Sequence, residues 1–273
     1  MSAFDPDIRA FYEAYDEAAR LGQGYFALEG ARTRELLSRH LPPPPARVLD
    51  VGGAAGAYAL WLAEQGYAVR LVDPVPRHVE QARAASAAAR HPLAGAALGD
   101  ARALEHEDGS ADALLLLGPL YHLDAADRGR ALREAARVLA PGGVLCAAGI
   151  SRFASLLDGL RAHVFDDPAF LDIVREDLAS GRHLNNTGRI EYFTTAFFHR
   201  PEELEAELRA AGFAEVAVYA VEGPGMLLPD FERRWADEAA RAVLMEVVRT
   251  VEREPSMLGA SPHLLGVGRR LRS

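Results

Sequence analysis

The stretch Arg47-Val48-Leu49-Asp50-Val51-Gly52-Gly53-Ala54-Ala55-Gly56 decides the fold. An apolar run ends in Asp50, turns through small residues and enters a segment whose apolar positions, Tyr58, Leu60, Trp61 and Leu62, read as a helix. A second apolar run, Ala68 to Val72, delivers Asp73. Small residues at the first strand-helix turn let the backbone approach a ligand, and an acid about 20 positions further on suits a pair of ribose hydroxyls. The chain is therefore expected to bind an adenosine-type cofactor at the edge of an open α/β sheet.

A dinucleotide fingerprint reads Gly-x-Gly-x-x-Gly, but from Gly52 this chain offers Gly52, Ala54 and Ala57, so two of the three glycines are missing. Asp50-x-Gly52-x-x-x-Gly56 fits better. Val48 to Gly56 resembles the first motif of class I S-adenosylmethionine (SAM)-dependent methyltransferases, D-x-G-x-G-x-G, with Ala54 at the middle glycine. Asp73 sits where that family places its ribose-binding carboxylate, and Gly99-Asp100-Ala101 where it places a contact to the adenine amine. Leu139-Ala140-Pro141-Gly142-Gly143 is similar to the family's turn before the fifth strand. Residues 30 to 150 carry the resemblance strongly and the remainder weakly. It implies SAM as cofactor and S-adenosylhomocysteine (SAH) as product. Asp50, Gly52, Gly53, Gly56, Asp73, Pro74, Asp100, Ala101 and Leu117 are then the cofactor-binding candidates. Local alternatives stand beside two of them: Asp50 could bond the amides of its own turn, and Asp73 could cap the helix that starts near Pro76.

The net charge of −9 argues against a nucleic-acid substrate, because phosphate binding needs a basic surface. All thirty basic residues are arginine. No apolar run is long enough to span a membrane. The start, Met1-Ser2-Ala3-Phe4-Asp5, lacks a basic-then-apolar signal pattern, so a cytoplasmic location is the expectation. Cys146 is the single cysteine and reads as a small buried hydrophobe. The nine histidines are scattered, so no metal is expected.

Alternation of apolar runs and amphipathic segments predicts strands at 47–51, 68–72, 95–98, 112–117 and 143–149, with helices at 56–65, 76–89 and 124–139 between them. A doubly wound α/β fold follows: a seven-stranded sheet, mostly parallel with an antiparallel edge strand. Residues 1–45 read as an N-terminal helical cover, with helices over 5–21 and 29–40, and 46–150 as the Rossmann-like core. Residues 151–200 read as a lid for the methyl acceptor, because the stretch is too long for a connection. Residues 201–273 return to the core through helix 201–211 and strand 213–221. A helical insertion at about 229–254 precedes the last strand, 263–270; the resembling family pairs its last two strands antiparallel at one edge.

Methyl transfer is an in-line displacement, so positioning dominates, and a base is needed only for a protonated acceptor. Ligands in open α/β sheets bind beyond the carboxyl ends of the strands. Gly118-Pro119-Leu120-Tyr121-His122-Leu123 directly follows the fourth strand and resembles a segment of a group of small-molecule methyltransferases. His122 is therefore the first candidate base, with helix capping or packing as its alternative. His199 is the second, with a helix flank as its alternative. Tyr12, Tyr25, Tyr121, Tyr192 and Phe198 are candidate acceptor contacts, although the aromatics of 151–200 equally suit a small core of their own. Tyr12, Tyr15 and Tyr25 are also placed to cover the cofactor, with Glu29 and Arg32 at its polar ends. The expected function is methyl transfer from SAM to an oxygen, nitrogen or sulfur of a small molecule, secondary metabolites included, by a monomer or homodimer. The alternatives are a SAM-binding module without turnover and a nicotinamide-dependent reductase.

Overall fold

The computed structural model describes Ile8, Phe11, Tyr12 and residues 20–271; most of the expected first helix, with Tyr15, lies outside the described residues. Helix α1 (Phe26–His40) leads into β1 (Arg47–Val51), α2 (Ala57–Glu64), β2 (Ala68–Asp73), α3 (Pro76–Ala88), β3 (Gly95–Leu98) and β4 (Ala111–Leu116). After α4 (Ala125–Val138) comes the long strand β5 (Leu139–Ser151). Strands β3, β2, β1, β4 and β5 lie side by side in that order, all parallel. β9 (His263–Arg270) pairs antiparallel with β5, and β8 (Phe213–Ala220) pairs antiparallel with β9. The last two strands thus form the expected antiparallel pair at one edge. The strand that runs against the rest, β9, lies one place in from the edge, with β8 outermost.

Residue alternation explains the layering. In β4, Ala113 and Leu115 join Leu36, Leu37, Leu62 and Leu71 on one face of the sheet. Leu114 and Leu116 join Leu132, Ala135, Leu204 and Leu208 on the other. A strand covered on both faces needs apolar residues at every position, which is why 113–117 is an unbroken apolar run. Each such leucine contributes roughly 1.5–3 kcal/mol on burial.

The boundaries differ from the sequence reading in one instructive place. The turn Pro141-Gly142-Gly143 was expected to precede the fifth strand. Instead β5 begins at Leu139, where it pairs with Ala111, and the register shifts before Ala113 pairs with Val144. The small residues occupy an irregularity within the strand.

Beyond Ser151 the chain forms α5 (Ala154–Ala162), α6 (Pro168–Ser180) and a two-stranded turn, β6 (Arg182–His183) with β7 (Ala196–His199). Phe170, Ile173, Val174 and Tyr192 make a separate small core here, with Leu156 and Phe165 packed on it. β7 also pairs with the end of β5, Ile150 opposite Phe198 and Ser151 opposite His199, so the segment is joined to the sheet. The chain returns through α7 (Pro201–Ala210) and β8; α8 (Phe231–Ala236) and α9 (Glu238–Val251) form the expected helical excursion before β9.

Candidate active site

Two cavities open at the carboxyl edge of the parallel strands. The first is lined by the turn after β1 (Asp50, Gly52, Gly53, Ala54), the end of β2 (Asp73, Pro74), Asp100 and Ala101 after β3, and Leu117 with Tyr121 and His122 after β4. Glu29, Thr33 and Tyr58 close one side. The second is lined by Tyr25, Ser155, Asp158, Phe170, Tyr192, Phe193 and Phe198. Tyr12, Arg20, Tyr121 and His263 line both.

The first cavity is built on close backbone packing. Gly52 has φ +71°, and a Cβ there would lie 2.5 Å from Pro119 Cγ. A Cβ on Gly53 would lie 2.6 Å from Asp50 Oδ2. The turns after β1 and β4 therefore touch, and only glycine permits it. Gly56 corrects the sequence reading: it does not line the cavity. With φ +91° it caps α2 in the left-handed conformation.

Asp73 anchors this architecture. Oδ2 accepts the Ala54 amide at 2.9 Å; Oδ1 accepts the Val75 amide at 2.9 Å and lies 3.1 Å from His78 Nδ1. One carboxylate thus ties both crossover turns together while facing the cavity. The residue before α3 that occupies the N-cap position is Val75, not Asp73. Asp100 is held by Arg102, whose Nε and Nη2 donate to its two oxygens, and Arg102 continues to Asp127 of α4.

Asp50 is different. It is 1% exposed, and neither of its side-chain oxygens has a hydrogen-bond partner among the described residues. Burial, helped by the neighbouring Asp73, pushes its carboxyl up to about 7. A buried carboxylate without partners is costly, so this is a place where a cationic group would be favoured. The alternative that Asp50 bonds its own turn is not realised. SAM carries a sulfonium and an ammonium, and a cavity lined by this acid and by small residues suits such a ligand.

His122 lies on the short 3₁₀ turn Pro119–His122. Its Nδ1 is 3.1 Å from the Thr195 carbonyl, and its Nε2 is 2.8 Å from the Tyr12 hydroxyl. A carbonyl only accepts, so Nδ1 carries the proton and Nε2 takes the Tyr12 O–H. His199 was expected near the same pocket and is not. It is fully buried, its Nε2 3.4 Å from Glu207 Oε2, and it lines neither cavity. Burial alone would raise the Glu207 carboxyl, but His199 and Arg128 hold it down to about 2. His199 faces Glu207 of α7 because β7 pairs with β5. Arg32 is also corrected: it is fully buried and turned away from the cavity, toward Glu35 and Glu252.

Tyr25, Tyr192 and Phe198 all reach the second cavity, and each has a structural partner; the Tyr25 hydroxyl donates to Asp158 at 3.4 Å. The Tyr192 hydroxyl bonds Asp167 and Arg189, and Phe198 stacks on His183 with ring centroids 4.5 Å apart. His78 and His263 were missed by sequence reasoning. His78 sits one turn into α3, where its spacing from Asp73 was readable. His263 pairs with Glu222, 41 residues away, and no local pattern announces it.

Known methyltransferases are similar to this chain in sequence and fold. A family model described as a methyltransferase domain matches residues 48–143. A malonyl-[acyl-carrier protein] O-methyltransferase of Geobacter sulfurreducens is 32% identical over 217 residues, 78% of this chain and 73% of the relative. An uncharacterized methyltransferase of Mycobacterium bovis is 40% identical over 105 residues, 38% of this chain and only 40% of the relative's length. A SAM-dependent methyltransferase structure from Methanosarcina mazei superposes with a TM-score of 0.58 at 19% identity, covering 87% of this chain and 98% of that one. The chain belongs to the class I SAM-dependent methyltransferases.

Proposed function

We propose that the protein transfers a methyl group from SAM, bound in the first cavity, to an oxygen, nitrogen or sulfur of a small molecule held in the second. The observation that carries this reading is the unpartnered, buried Asp50 in a glycine-walled cavity that shares Tyr12, Arg20, Tyr121 and His263 with an aromatic chamber. When bound, SAM supplies an electrophilic methyl on sulfur. Asp50 offers a counter-charge, Asp73 retains lone pairs for ribose hydroxyls, and the aromatic walls exclude water. The Geobacter relative's O-methyltransferase activity supports oxygen as the acceptor atom.

The Tyr12–His122 pair supports a proton-accepting role. His122 Nε2 is free of a proton, so it can draw one through Tyr12 from an acceptor hydroxyl. Such general-base help is worth typically ~10²–10⁴ in rate. Calorimetry with SAH and with NADPH tests the cofactor: binding of SAH alone is expected, and binding of NADPH alone would sink the assignment. A screen of phenols, thiols, amines and carboxylic acids for SAH release then separates an enzyme from a SAM-holding module.

A further inference from the structure

The corner shared by both cavities holds four charged groups, Arg20, Glu29, Glu222 and His263. Arg20 donates to both oxygens of Glu29, at 2.5 and 2.9 Å. Glu222 is fully buried; Oε2 accepts from Ser261 Oγ at 2.9 Å and from the His263 amide at 3.1 Å, while Oε1 lies 2.5 Å from His263 Nδ1. Glu29 Oε2 is 3.8 Å from the same Nδ1. Burial alone would lower the His263 ring, but Glu29 and Glu222 outweigh it and raise it to about 9. Tyr25, which also feels both carboxylates, stays neutral because burial pushes its hydroxyl up.

The ring therefore carries both protons at neutral pH. Nδ1–H goes to Glu222. Nε2–H has no protein partner among the described residues, and the ring, 21% exposed, lines both cavities. Glu29, Glu222 and His263 converge closely enough to suggest a metal site. Their charge is already balanced by Arg20 and the imidazolium, so a cation would have to displace both. An N–H⁺ on a ring that lines both cavities calls instead for an anionic oxygen. We propose that His263, held by Glu222 at the junction of the two cavities, is a carboxylate-binding residue whose Nε2–H donates to a carboxylate of the ligand bound there. The carboxylate belongs either to the methyl acceptor or to the amino-acid end of the cofactor. Only this choice of source rests on the methyltransferase reading.

Benzoate and its neutral counterpart benzamide are titrated into the full chain, with and without saturating SAH, for wild type, His263→Gln and Glu222→Gln. SAH and methylthioadenosine, which lacks the amino-acid end, are titrated in parallel. An acceptor-side site predicts that wild type prefers benzoate over benzamide by roughly tenfold or more, and that His263→Gln loses the preference with SAH affinity unchanged. A cofactor-side site predicts a loss of roughly tenfold or more for SAH and none for methylthioadenosine. Glu222→Gln keeps the shape of the corner and lowers the ring's proton affinity. It should therefore retain binding at pH 6 and lose it at pH 8, which guards against a misfolded His263 variant. The proposal is overturned if His263→Gln changes neither series, or if benzamide binds as well as benzoate while SAH is indifferent to the substitution. Failure of SAH to bind at all would instead remove the methyltransferase reading and leave the ligand-free benzoate titration to decide the site.

Discussion

The nucleotide half of the molecule, β1 through β5, and the segment from Arg152 to Phe198 are held together by different means. In the first, Leu114, Leu115 and Leu116 are fully buried between two helical layers, and the site residues sit on turns locked by Asp73 and the Gly52–Pro119 contact. In the second, a small aromatic core is supplemented by polar links: Ser155 and His183 to Asp177, and Tyr192 to Asp167 and Arg189. Hydrophobic burial across a sheet is cooperative and hard to open locally; a satellite core with side-chain ties opens at lower cost. A cofactor common to many reactions suits the first kind of structure. A variable acceptor suits the second.

Substitutions can break this contrast. Leu115→Ala empties the centre of β4 and should cost about 2–5 kcal/mol in chemical denaturation, felt as loss of global stability. A cost below 1 kcal/mol would show that the sheet is not the stable unit. Asp73→Ala should weaken SAH binding on the order of 1.5–3 kcal/mol by calorimetry, with the fold retained. Collapse of stability with unchanged SAH affinity would reduce Asp73 to its turn-tying role.

Asp50→Asn should act in the opposite sense on the ligand-free protein. The Asp50 carboxyl is raised from 3.8 to about 7, so the folded state holds that proton more tightly than the unfolded chain, and stability falls as pH rises between those values. Above pH 7 the variant should be more stable than wild type by on the order of 1–3 kcal/mol, with little difference at pH 4, while SAH binding weakens. Thermal unfolding against pH checks this; equal curves at pH 8 would show that Asp50 has a partner. The smallest effect belongs to the other half. Tyr192→Phe removes a hydroxyl bonded to Asp167 and Arg189 and should cost about 0.5–1.5 kcal/mol, visible as faster hydrogen exchange in α5 and α6 and unchanged exchange in β1 and β4. Spread of the effect into β4 would mean that the two halves open together.

The same contrast explains what could be read from the chain. β9 could be placed at 263–270 because its centre, Leu264 to Gly268, is an apolar stretch buried against β5 and β8. The turn after β1 was legible because glycine is demanded by contacts of 2.5–2.6 Å. His199 was misread because its direction is set by the pairing of β7 with β5, a register that no local pattern encodes. His263 was overlooked for a related reason: its chemistry comes from Glu222 and Glu29, brought to it by the antiparallel return of β9 and by α1. Motifs report turns that must be tight; they are silent about charged groups that meet only after the sheet closes.

The pairing of Ser151 with His199, with the Arg152 amide donating to the His199 carbonyl at 2.7 Å, has a consequence for how such a chain can diversify. The forty-odd residues between them leave the scaffold and rejoin it at neighbouring points on adjacent strands. An excursion closed in this way can be lengthened, shortened or exchanged without re-registering a single strand of the parent sheet, since the cost of a longer loop grows only logarithmically with its length. The segment is thus graftable: moved between relatives at these two residues, it would carry its share of the chamber wall, Phe170, Tyr192, Phe193 and Phe198, and leave Asp50, Asp73 and the turn after β4 where they stand.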